Sequence, residues 1–423
     1  MKKINMDQLQ PDFFDYKEFK DWPKVQRIID EVRERKDQAV KEYTVRYDHV
    51  KIDRIKVENQ DIKSSYNFLD KDLISQIQKS IKSLEKFSSK QMESYKNFKF
   101  EINPGVLVGQ KVIPIDRVGI YVPGGRYPLI SSLIMGAVPA RIAGVKEIIV
   151  CSPPCFRNNI HPGILVAADI CGVNEIFMLG GAQAIAAMAY GTQSIPRVSK
   201  IVGPGNSYVN AAKKIVYGQV GIDFIAGPTE ILVMADNKAD PTLIAADLIA
   251  QAEHDSSAEP ILVTDSNDWA DKVIKEIEKG LNKLKNPEVA ENSLQKKGII
   301  ILVENMNEAV EFANKKAPEH LHLVLDNAES FIPRLNNYGS LFIGKYSPVV
   351  LGDYSSGLNH ILPTNFTSRY TGGLSVKDFV KIQTFLETNK QGFSEIRTTA
   401  MTLASIEGLE GHVNSIAVRM DRE

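Results

Sequence analysis

Strand-like and helix-like segments alternate through most of the middle of the chain. Residues 147–151 and 175–179 are short aliphatic and aromatic runs, and the segments that follow them, 163–170 and 183–190, have helical character. A second series of the same kind runs from residue 230 to residue 344. Because parallel strands are joined by helical crossovers, this alternation predicts an α/β fold built on doubly wound parallel sheets.

The composition excludes several classes of partner. The 423 residues include 51 basic and 52 acidic ones, and the net charge of −1 predicts no binding to nucleic acid or to an anionic membrane surface. The longest apolar stretch, 129–145, contains Pro139 and Arg141, and no secretory signal is visible. The three cysteines are too few for a disulfide framework. We therefore expect a cytoplasmic protein.

Glycine turns follow several of the predicted strands. They lie at 123–125, 179–183 and 202–206, and each opens a predicted helix. In open α/β sheets, ligands bind at the carboxyl ends of the strands, where helix N-termini favour phosphate groups. The usual Gly-x-Gly-x-x-Gly dinucleotide fingerprint is absent. The turns are therefore consistent either with a nucleotide site or with close packing alone.

A predicted helix at 245–254 carries polar residues on one face. Gln251 and His254 are three positions apart, so both side chains can reach one ion or ligand. A histidine nitrogen is a good zinc ligand, and a glutamine amide oxygen is a weaker one. A polar helix end with a hydrogen-bonded histidine explains the same residues. The other candidate ligands, Asp353 and His412, are too distant in the chain for their spacing to predict a site.

Two further segments carry groups suited to chemistry. Pro318 precedes Glu319 and His320, an acid and an imidazole whose side chains diverge from the backbone and can serve two separate proton transfers. Taken alone, this pair is explained more simply by a structural role. Residues 346–374 are predicted to form a long loop without periodicity, which carries Asp353 and His360. Long ordered loops of this kind are often functional.

Seven segments, in order along the chain, resemble the histidinol dehydrogenase family over nearly the whole length. They are 118–125 (VGIYVPGG), 180–186 (GGAQAIA), 202–206 (VGPGN), 226–230 (AGPTE), 251–254 (QAEH), 317–321 (APEHL) and 352–360 (GDYSSGLNH). The resemblance implies a zinc-dependent enzyme that oxidises L-histidinol to L-histidine with two molecules of NAD, the last step of histidine biosynthesis.

The resemblance also implies the role of individual residues. The zinc ligands would be Gln251, His254, Asp353 and His412. The residues that bind the substrate would be Thr229, Gln251, His254, His320, Asp353, His360, Glu407 and His412. The NAD contacts would be Tyr121, Gln183 and Asn206. In this family the C-terminal histidine comes from the neighbouring subunit, so His412 and Glu407 are expected to complete a site in trans in a homodimer.

The implied mechanism assigns proton transfer to Glu319 and His320. His320 would act as the base in both oxidations, and Glu319 would activate the water that adds to bound L-histidinal. Three alternatives remain at this point. They are a paralogous zinc- and NAD-dependent alcohol dehydrogenase acting on another small amino or sulfonated alcohol, a zinc hydrolase without a nucleotide, and a metal-binding dimer without catalytic activity.

With this resemblance, the expected architecture is an intertwined homodimer whose subunits contain two doubly wound, incomplete Rossmann-like three-layer domains. Residues 1–20 are predicted to be an N-terminal arm that docks on another body. Residues 21–115 and 229–366 are predicted to form the α/β domain with the metal-binding helix, and 116–228 the domain with the NAD contacts. Residues 367–423 are predicted to be a dimerisation tail that is helical from residue 375 onwards.

Overall fold

The computed structural model describes residues 1–15, 22–124 and 127–420. The strands are β1 (Lys2–Asn5), β2 (Phe98–Asn103), β3 (Val106–Pro114), β4 (Arg117–Tyr121), β5 (Glu147–Ser152), β6 (Glu175–Met178), β7 (Lys200–Val202), β8 (Gly221–Ile222), β9 (Glu230–Ala235), β10 (Glu259–Thr264), β11 (Ile299–Leu302), β12 (His320–Val324), β13 (Ser340–Ile343) and β14 (Val380–Thr388). The helices are α1 (Trp22–Arg35), α2 (Asp37–Asp48), α3 (Asn59–Ser65), α4 (Lys71–Met92), α5 (Ile130–Ile142), α6 (Pro162–Cys171), α7 (Gly181–Tyr190), α8 (Ser207–Val216), α9 (Pro241–Ala252), α10 (Asn267–Leu281), α11 (Glu288–Lys296), α12 (Met306–Lys316), α13 (Ala328–Phe331), α14 (Val349–Tyr354), α15 (Lys390–Ile406) and α16 (Glu410–Met420).

The larger sheet is parallel throughout and has the strand order β1-β11-β10-β9-β12-β13. Helices α9, α10 and α11 pack on one face through residues such as Leu248 and Val273. Helices α12 and α13 cover the other face. Because helices cover both faces, the central strands β9 and β10 are buried along their whole length. This arrangement is an α/β fold on a parallel sheet.

The smaller parallel sheet has the strand order β6-β5-β4-β7-β8. Helices α5 and α6 pack on one face, and α7 and α8 on the other. Helix α7 is almost entirely apolar, with Ala184, Ile185 and Ala187 all buried. A helix that is apolar on all sides must also be buried on the side that faces away from the sheet. That side is covered by helices from the N-terminal part of the chain.

The helices between residues 22 and 92 pack on this smaller sheet, although the sequence predicts that residues 21–115 pack with 229–366. Helices α1 and α2 contact α7 and α8 through residues such as Ile29 and Val40, and α4 packs on α5 through Ile81 and Leu84. Their apolar stripes fit the buried helices of the smaller sheet, and these contacts differ from the expected grouping of the segment.

The N-terminal segment docks on its own chain. Strand β1 pairs in parallel with β11 at the edge of the larger sheet. Phe13 and Phe14 then pack against Phe312 of α12, with ring centroids 6.0 and 5.7 Å away. This differs from the prediction of an arm that docks on another body, because the apolar residues of 1–15 find a surface within the same subunit. Tyr16 and Phe19, which contributed to that prediction, lie outside the described residues.

A third sheet is antiparallel, has the order β14-β3-β2 and stands apart from the other two. The prediction that residues 375–423 are helical is wrong for 380–388, which form strand β14. The helices α15 and α16 follow this strand. Several large apolar side chains on this sheet and on the two helices are exposed, namely Phe98, Phe100, Ile382, Leu386, Leu403 and Ile406. In the part of the chain that the structure describes, no helix is long and apolar enough to cross a membrane.

Candidate functional site

A cavity of about 170 Å³ lies where the two parallel sheets meet. The smaller sheet contributes Pro204 and Gly205, which follow β7, and the larger sheet contributes residues at the start of β9 and β12. Its polar lining consists mainly of Ser131, Ser132, Thr229, His254, Glu319, His320, Asp353, His360 and Thr364. Most of the side chains that the sequence predicts to bind the substrate therefore face a single space.

Glu319 lies on the buried turn between α12 and β12. Ala317 ends the helix in the left-handed conformation, with φ of 48°, and the chain then turns into the strand. The Oε2 atom of Glu319 accepts hydrogen bonds from the hydroxyl of Thr229 over 2.6 Å and from the backbone N–H of Glu230 over 2.8 Å. Burial raises the pKa of Glu319 to about 7, although both hydrogen bonds act in the opposite direction.

His320 follows at the first position of β12. Its Nδ1 lies 2.9 Å from the carbonyl oxygen of Glu230, and its Nε2 lies 3.7 Å from Oδ1 of Asp353. Burial lowers the pKa of His320, but the charges of Glu319 and Asp353 outweigh it and raise the pKa to about 9. In the described residues, Nε2 has no hydrogen-bond partner. It is therefore the ring nitrogen that the described part of the chain leaves without a partner.

Helix α9 carries Gln251, and His254 follows shortly after the end of this helix. Gln251 is buried and its Nε2 donates a hydrogen bond to the Thr229 hydroxyl, which links the helix to Glu319. His254 follows the helix and lines the cavity. Burial lowers the pKa of His254, so its imidazole is held in the neutral form that binds metals.

Asp353 and His360 come from the segment that the sequence predicts to be a long loop. The prediction is wrong for residues 349–354, which form α14 and carry Asp353 into the cavity. His360 donates from Nδ1 to the carbonyl oxygen of Asp353 over 2.9 Å. Burial opposes ionisation of Asp353, but the nearby imidazole of His320, together with those of His360 and His254, lowers the pKa of this carboxyl overall. The cavity therefore combines an ionised carboxylate with three neighbouring imidazoles, those of His254, His320 and His360.

Glu407 and His412 do not reach this cavity in the same chain. Glu407 ends α15 and His412 lies on α16, and both are exposed. In residues 1–15, 22–124 and 127–420, no cluster of three or more His, Cys, Asp or Glu side chains has the arrangement of a metal site. A single subunit thus supplies three of the four expected zinc ligands, namely Gln251, His254 and Asp353. Because Gln251 is a glutamine, only two of these three belong to the residue types His, Cys, Asp and Glu.

The three expected NAD contacts lie at the carboxyl ends of the smaller sheet's strands. The buried Tyr121 ends β4, and its hydroxyl accepts a hydrogen bond from the N–H of Gly181 over 3.1 Å. Gln183 is buried on α7. Asn206 caps α8 by accepting a hydrogen bond from the N–H of Val209. None of the three lines the cavity, but Asn206 directly follows Pro204 and Gly205, which do.

The sequence did not predict a cluster of buried charged residues that lies next to the site. Lys316 is fully buried, with Nζ 3.0 Å from a carboxylate oxygen of Glu230 and 3.2 Å from one of Glu259. Glu230 also accepts a hydrogen bond from the N–H of Asn365 over 2.8 Å. One feature of the sequence could have indicated these residues, because Glu230 and Glu259 begin the otherwise apolar buried strands β9 and β10. A charge in such a strand requires a buried partner.

The chain is similar to known proteins over almost its full length. A family model described as histidinol dehydrogenase matches residues 15–420. The chain belongs to the histidinol dehydrogenase family. A histidinol dehydrogenase from Caldanaerobacter subterraneus subsp. tengcongensis is 46% identical over 399 residues, which are 94% of this chain and 92% of that protein. One from Streptococcus mutans is 44% identical over 398 residues, again 94% and 92%.

The fold of the family agrees with the present structure. The crystal structure of histidinol dehydrogenase from Elizabethkingia anophelis superposes with a TM-score of 0.93 at 34% sequence identity, and the match covers 100% of this chain and 98% of that one. The resemblance predicted from the seven segments is therefore confirmed, as is the α/β fold with parallel sheets. Membership of the family makes this chain an oxidoreductase of histidine biosynthesis that acts on histidinol.

Proposed function

We propose that this histidinol dehydrogenase oxidises L-histidinol to L-histidine in two steps, with zinc as cofactor and NAD as cosubstrate, and holds L-histidinal between them. The observation that carries the proposal is the buried pair Glu319 and His320, which faces one cavity with His254, Asp353 and His360. A hydrolase needs one base to activate water. This site has two candidate bases, the Glu319 carboxyl and the His320 imidazole, and two bases suit an enzyme that makes two kinds of proton transfer in turn.

The side chains around the cavity suit a zinc ion. His254 is held neutral and Asp353 ionised, which are the forms that bind metals. The Nε2 of Gln251 donates to Thr229, so its amide oxygen remains as the metal-binding atom. Bound zinc would supply a positive charge that orients the substrate and offsets the carboxylate of Asp353, one of the groups that raise the pKa of His320. The fourth ligand in this proposal is His412 of the partner subunit.

The smaller sheet offers a place for NAD. The amide of Gln183 is buried at the start of α7, and neither its nitrogen nor its oxygen has a hydrogen-bond partner in the described residues. Unmatched polar atoms are costly in a protein interior, and the polar groups of a dinucleotide would satisfy them. Their position, at the carboxyl ends of parallel strands, is where dinucleotides bind in open α/β sheets. NAD would accept a hydride in each of the two oxidations.

The two catalytic residues have separate tasks. The Nε2 of His320 takes the proton of the substrate hydroxyl in the first oxidation, because Nδ1 is fixed by the carbonyl of Glu230. Glu319 then takes a proton from the water that adds to the aldehyde, and a pKa near 7 suits a base at neutral pH. His320 accepts the hydroxyl proton of the resulting hydrate in the second oxidation. The Thr229 and Glu230 hydrogen bonds hold the Glu319 carboxyl in place during these transfers.

The C-terminal tail is assigned to a homodimer. Glu407 and His412 are exposed, and α15, α16 and the antiparallel sheet carry exposed apolar side chains, including Leu386 at 62% and Ile406 at 78% of full exposure. Such a surface indicates burial against another molecule. We propose that it packs on a second copy, so that Glu407 and His412 of the partner subunit complete the cavity. The protein would act in the cytoplasm, where its cysteines stay reduced.

The proposal is tested by counting NADH formed per histidinol consumed by zinc-loaded protein. Two NADH per histidinol are expected. One would show that the aldehyde escapes, and none, with NAD bound, would favour a paralogous dehydrogenase of another small alcohol. Glu319→Gln should block water addition, whereas the control Glu311→Gln, on the exposed side of α12, should keep the ratio of two. Metal removal should abolish turnover, and zinc should restore it.

A further inference from the structure

Buried polar atoms without partners concentrate at one end of the smaller sheet. In the described residues, Oδ2 of Asp48, Oγ of Ser152 and both amide atoms of Gln183 are inaccessible and make no hydrogen bond. They surround the glycine turns that follow β4 and β6. A Cβ added to Gly124 would lie 3.3 Å from the Ser152 hydroxyl, and one added to Gly180 would lie 3.2 Å from Oδ1 of Asp48.

Asp48 is the charged member of this group. It ends α2 and points at Gly180, whose backbone N–H favours the ionised form. Burial is the stronger effect and raises the pKa of Asp48 to about 6. The other titratable groups that interact with it are the adjacent His49, the buried Tyr121 and the exposed Cys155. No lysine or arginine of the described residues pairs with its carboxylate, so the chain itself leaves the charge largely uncompensated.

We propose that Asp48 binds the hydroxyls of the adenosine ribose of the dinucleotide and thereby selects NAD over NADP. The inference rests on the proposed use of NAD. A carboxylate at the carboxyl edge of a parallel sheet accepts hydrogen bonds from the two ribose hydroxyls, and it repels the 2′-phosphate that distinguishes NADP. Ser152 lies at Gly124 and Gln183 at Gly181, in the same two glycine turns, and their hydroxyl and amide groups can bind the adjoining phosphate and sugar oxygens.

The strand order identifies which ribose Asp48 meets. The nicotinamide must reach the cavity that Pro204 and Gly205 line, directly after β7. Asp48 instead contacts Gly180, after β6, and β5 and β4 lie between β6 and β7. Three interstrand steps correspond to about 14 Å, at roughly 4.8 Å each. The sugar next to Asp48 is therefore the one remote from the reacting ring.

The test is calorimetric titration of the full-length protein with NAD, NADP, nicotinamide mononucleotide and AMP. The variants are Asp48→Asn and Asp48→Ala, and the control is Asp53→Asn, which changes an exposed aspartate of the following loop. Loss of charged hydrogen bonds worth about 1.5–3 kcal/mol should weaken NAD binding by about 10- to 100-fold. AMP binding should weaken in parallel, nicotinamide mononucleotide binding should stay unchanged, and the preference for NAD over NADP should fall about 10-fold or more.

Three outcomes overturn the inference. They are an unchanged ratio of NAD to NADP affinity, an equal weakening of AMP and nicotinamide mononucleotide, and an effect of Asp53→Asn as large as that of Asp48→Asn. The first two would leave Asp48 with a structural role only. Unfolding temperatures without ligand show whether each variant is folded, and Asp48→Asn preserves the shape of the side chain if Asp48→Ala does not fold. If the wild-type protein binds neither dinucleotide, the proposed cosubstrate itself is wrong, which is a different result from unchanged variants.

Discussion

The Nδ1–H of His320 donates a hydrogen bond to the main-chain carbonyl of Glu230 over 2.9 Å, and the backbone N–H of Glu230 donates to Oε2 of Glu319 over 2.8 Å. A carbonyl oxygen only accepts hydrogen bonds, so Nδ1 carries its proton in both charge states of the ring. Proton exchange is thereby confined to Nε2. One residue at the start of a buried strand fixes the orientation of both groups proposed to transfer protons.

The two nitrogens of His320 can be separated by substitution. The amide of His320→Asn can still donate to the Glu230 carbonyl but offers no base at the position of Nε2, so kcat should fall by about 10²- to 10⁴-fold with little loss of stability. His320→Ala should lose the same activity and also leave a buried carbonyl unmatched, which costs about 1–3 kcal/mol. Steady-state kinetics and urea unfolding measure the two effects. Activity near the wild-type level in His320→Asn would refute the assignment of Nε2 as the base.

Thr229 is expected to act through Glu319. Its hydroxyl donates to Glu319 over 2.6 Å and accepts from Gln251, so Thr229→Val removes both links while keeping the volume of the side chain. Loss of a hydrogen bond to a charged group is worth about 1.5–3 kcal/mol, or about 10- to 100-fold in kcat. Thr229→Ser keeps the hydroxyl and should retain most of the activity. Equal rates for the valine and serine variants would show that this hydroxyl does not position Glu319.

Much of the fold follows from local patterns. The alternation of strands and helices predicted both parallel sheets, because the hydrophobic pattern of each strand and each helix is visible in its own short segment of sequence. The packing partner of α1–α4 was not predictable in this way. Their apolar stripes show which face is buried, but not which of two similar sheets buries it. Helix α14 is only six residues long and β14 is mostly exposed, so neither has a strong periodic signal.

The site was predictable in part. The adjacency of Glu319 and His320 is local, and the resemblance to the family supplied His254, Asp353 and His360, which the fold then places around one cavity. Lys316, Glu230 and Glu259 were missed because their pairing depends on three different elements meeting in space. Asp48 was missed for the same reason, since it meets Gly180 only after α2 packs on the smaller sheet.

Subunit mixing tests the proposed position of His412. A site that takes Glu319 from one chain and His412 from its partner should be restored when inactive His412→Asn and Glu319→Gln proteins exchange subunits. Random exchange in a twofold dimer makes about half of the dimers hybrids with one intact site each, so about a quarter of all sites should recover. Each variant mixed with itself is the control. Proven exchange without any recovery would mean that His412 does not complete the neighbour's site.

Lys316 should be a major contributor to stability. Its ammonium is fully buried between the carboxylates of Glu230 and Glu259 and lies 4.6 Å from the ring centroid of Phe366. Lys316→Met leaves two buried negative charges without a partner, which should lower the free energy of unfolding by about 3–5 kcal/mol. Lys238→Met breaks a pair with Asp326 in which both side chains are exposed, and it should cause no measurable change. Equal unfolding midpoints for the two variants would contradict a buried, coupled cluster.

Asp48 should reduce the stability of the ligand-free protein above pH 6. Its pKa is about 6 in the folded state and 3.8 in the unfolded chain, so the folded state binds the extra proton between these values. Stability linked to this group is therefore highest below pH 4 and falls as the pH rises through 6. Asp48→Asn removes this dependence. Because Asp48 is partly exposed and solvent screens its charge, the free-energy difference is smaller than the full pKa shift implies. The variant should be about 1–2 kcal/mol more stable than the wild type at pH 8.

Urea unfolding of wild type, Asp48→Asn and the control Asp53→Asn between pH 4 and 8 measures this difference. The advantage of Asp48→Asn should shrink towards pH 4, because the wild-type carboxyl is then protonated in the folded state and its burial no longer opposes a charge. Saturating NAD should reverse the order at pH 8, because bound ligand stabilises the folded wild type more than a variant that binds it weakly. A constant difference across the pH range would show that Asp48 carries no buried charge, and its proposed place at the ribose would then lack its electrostatic basis.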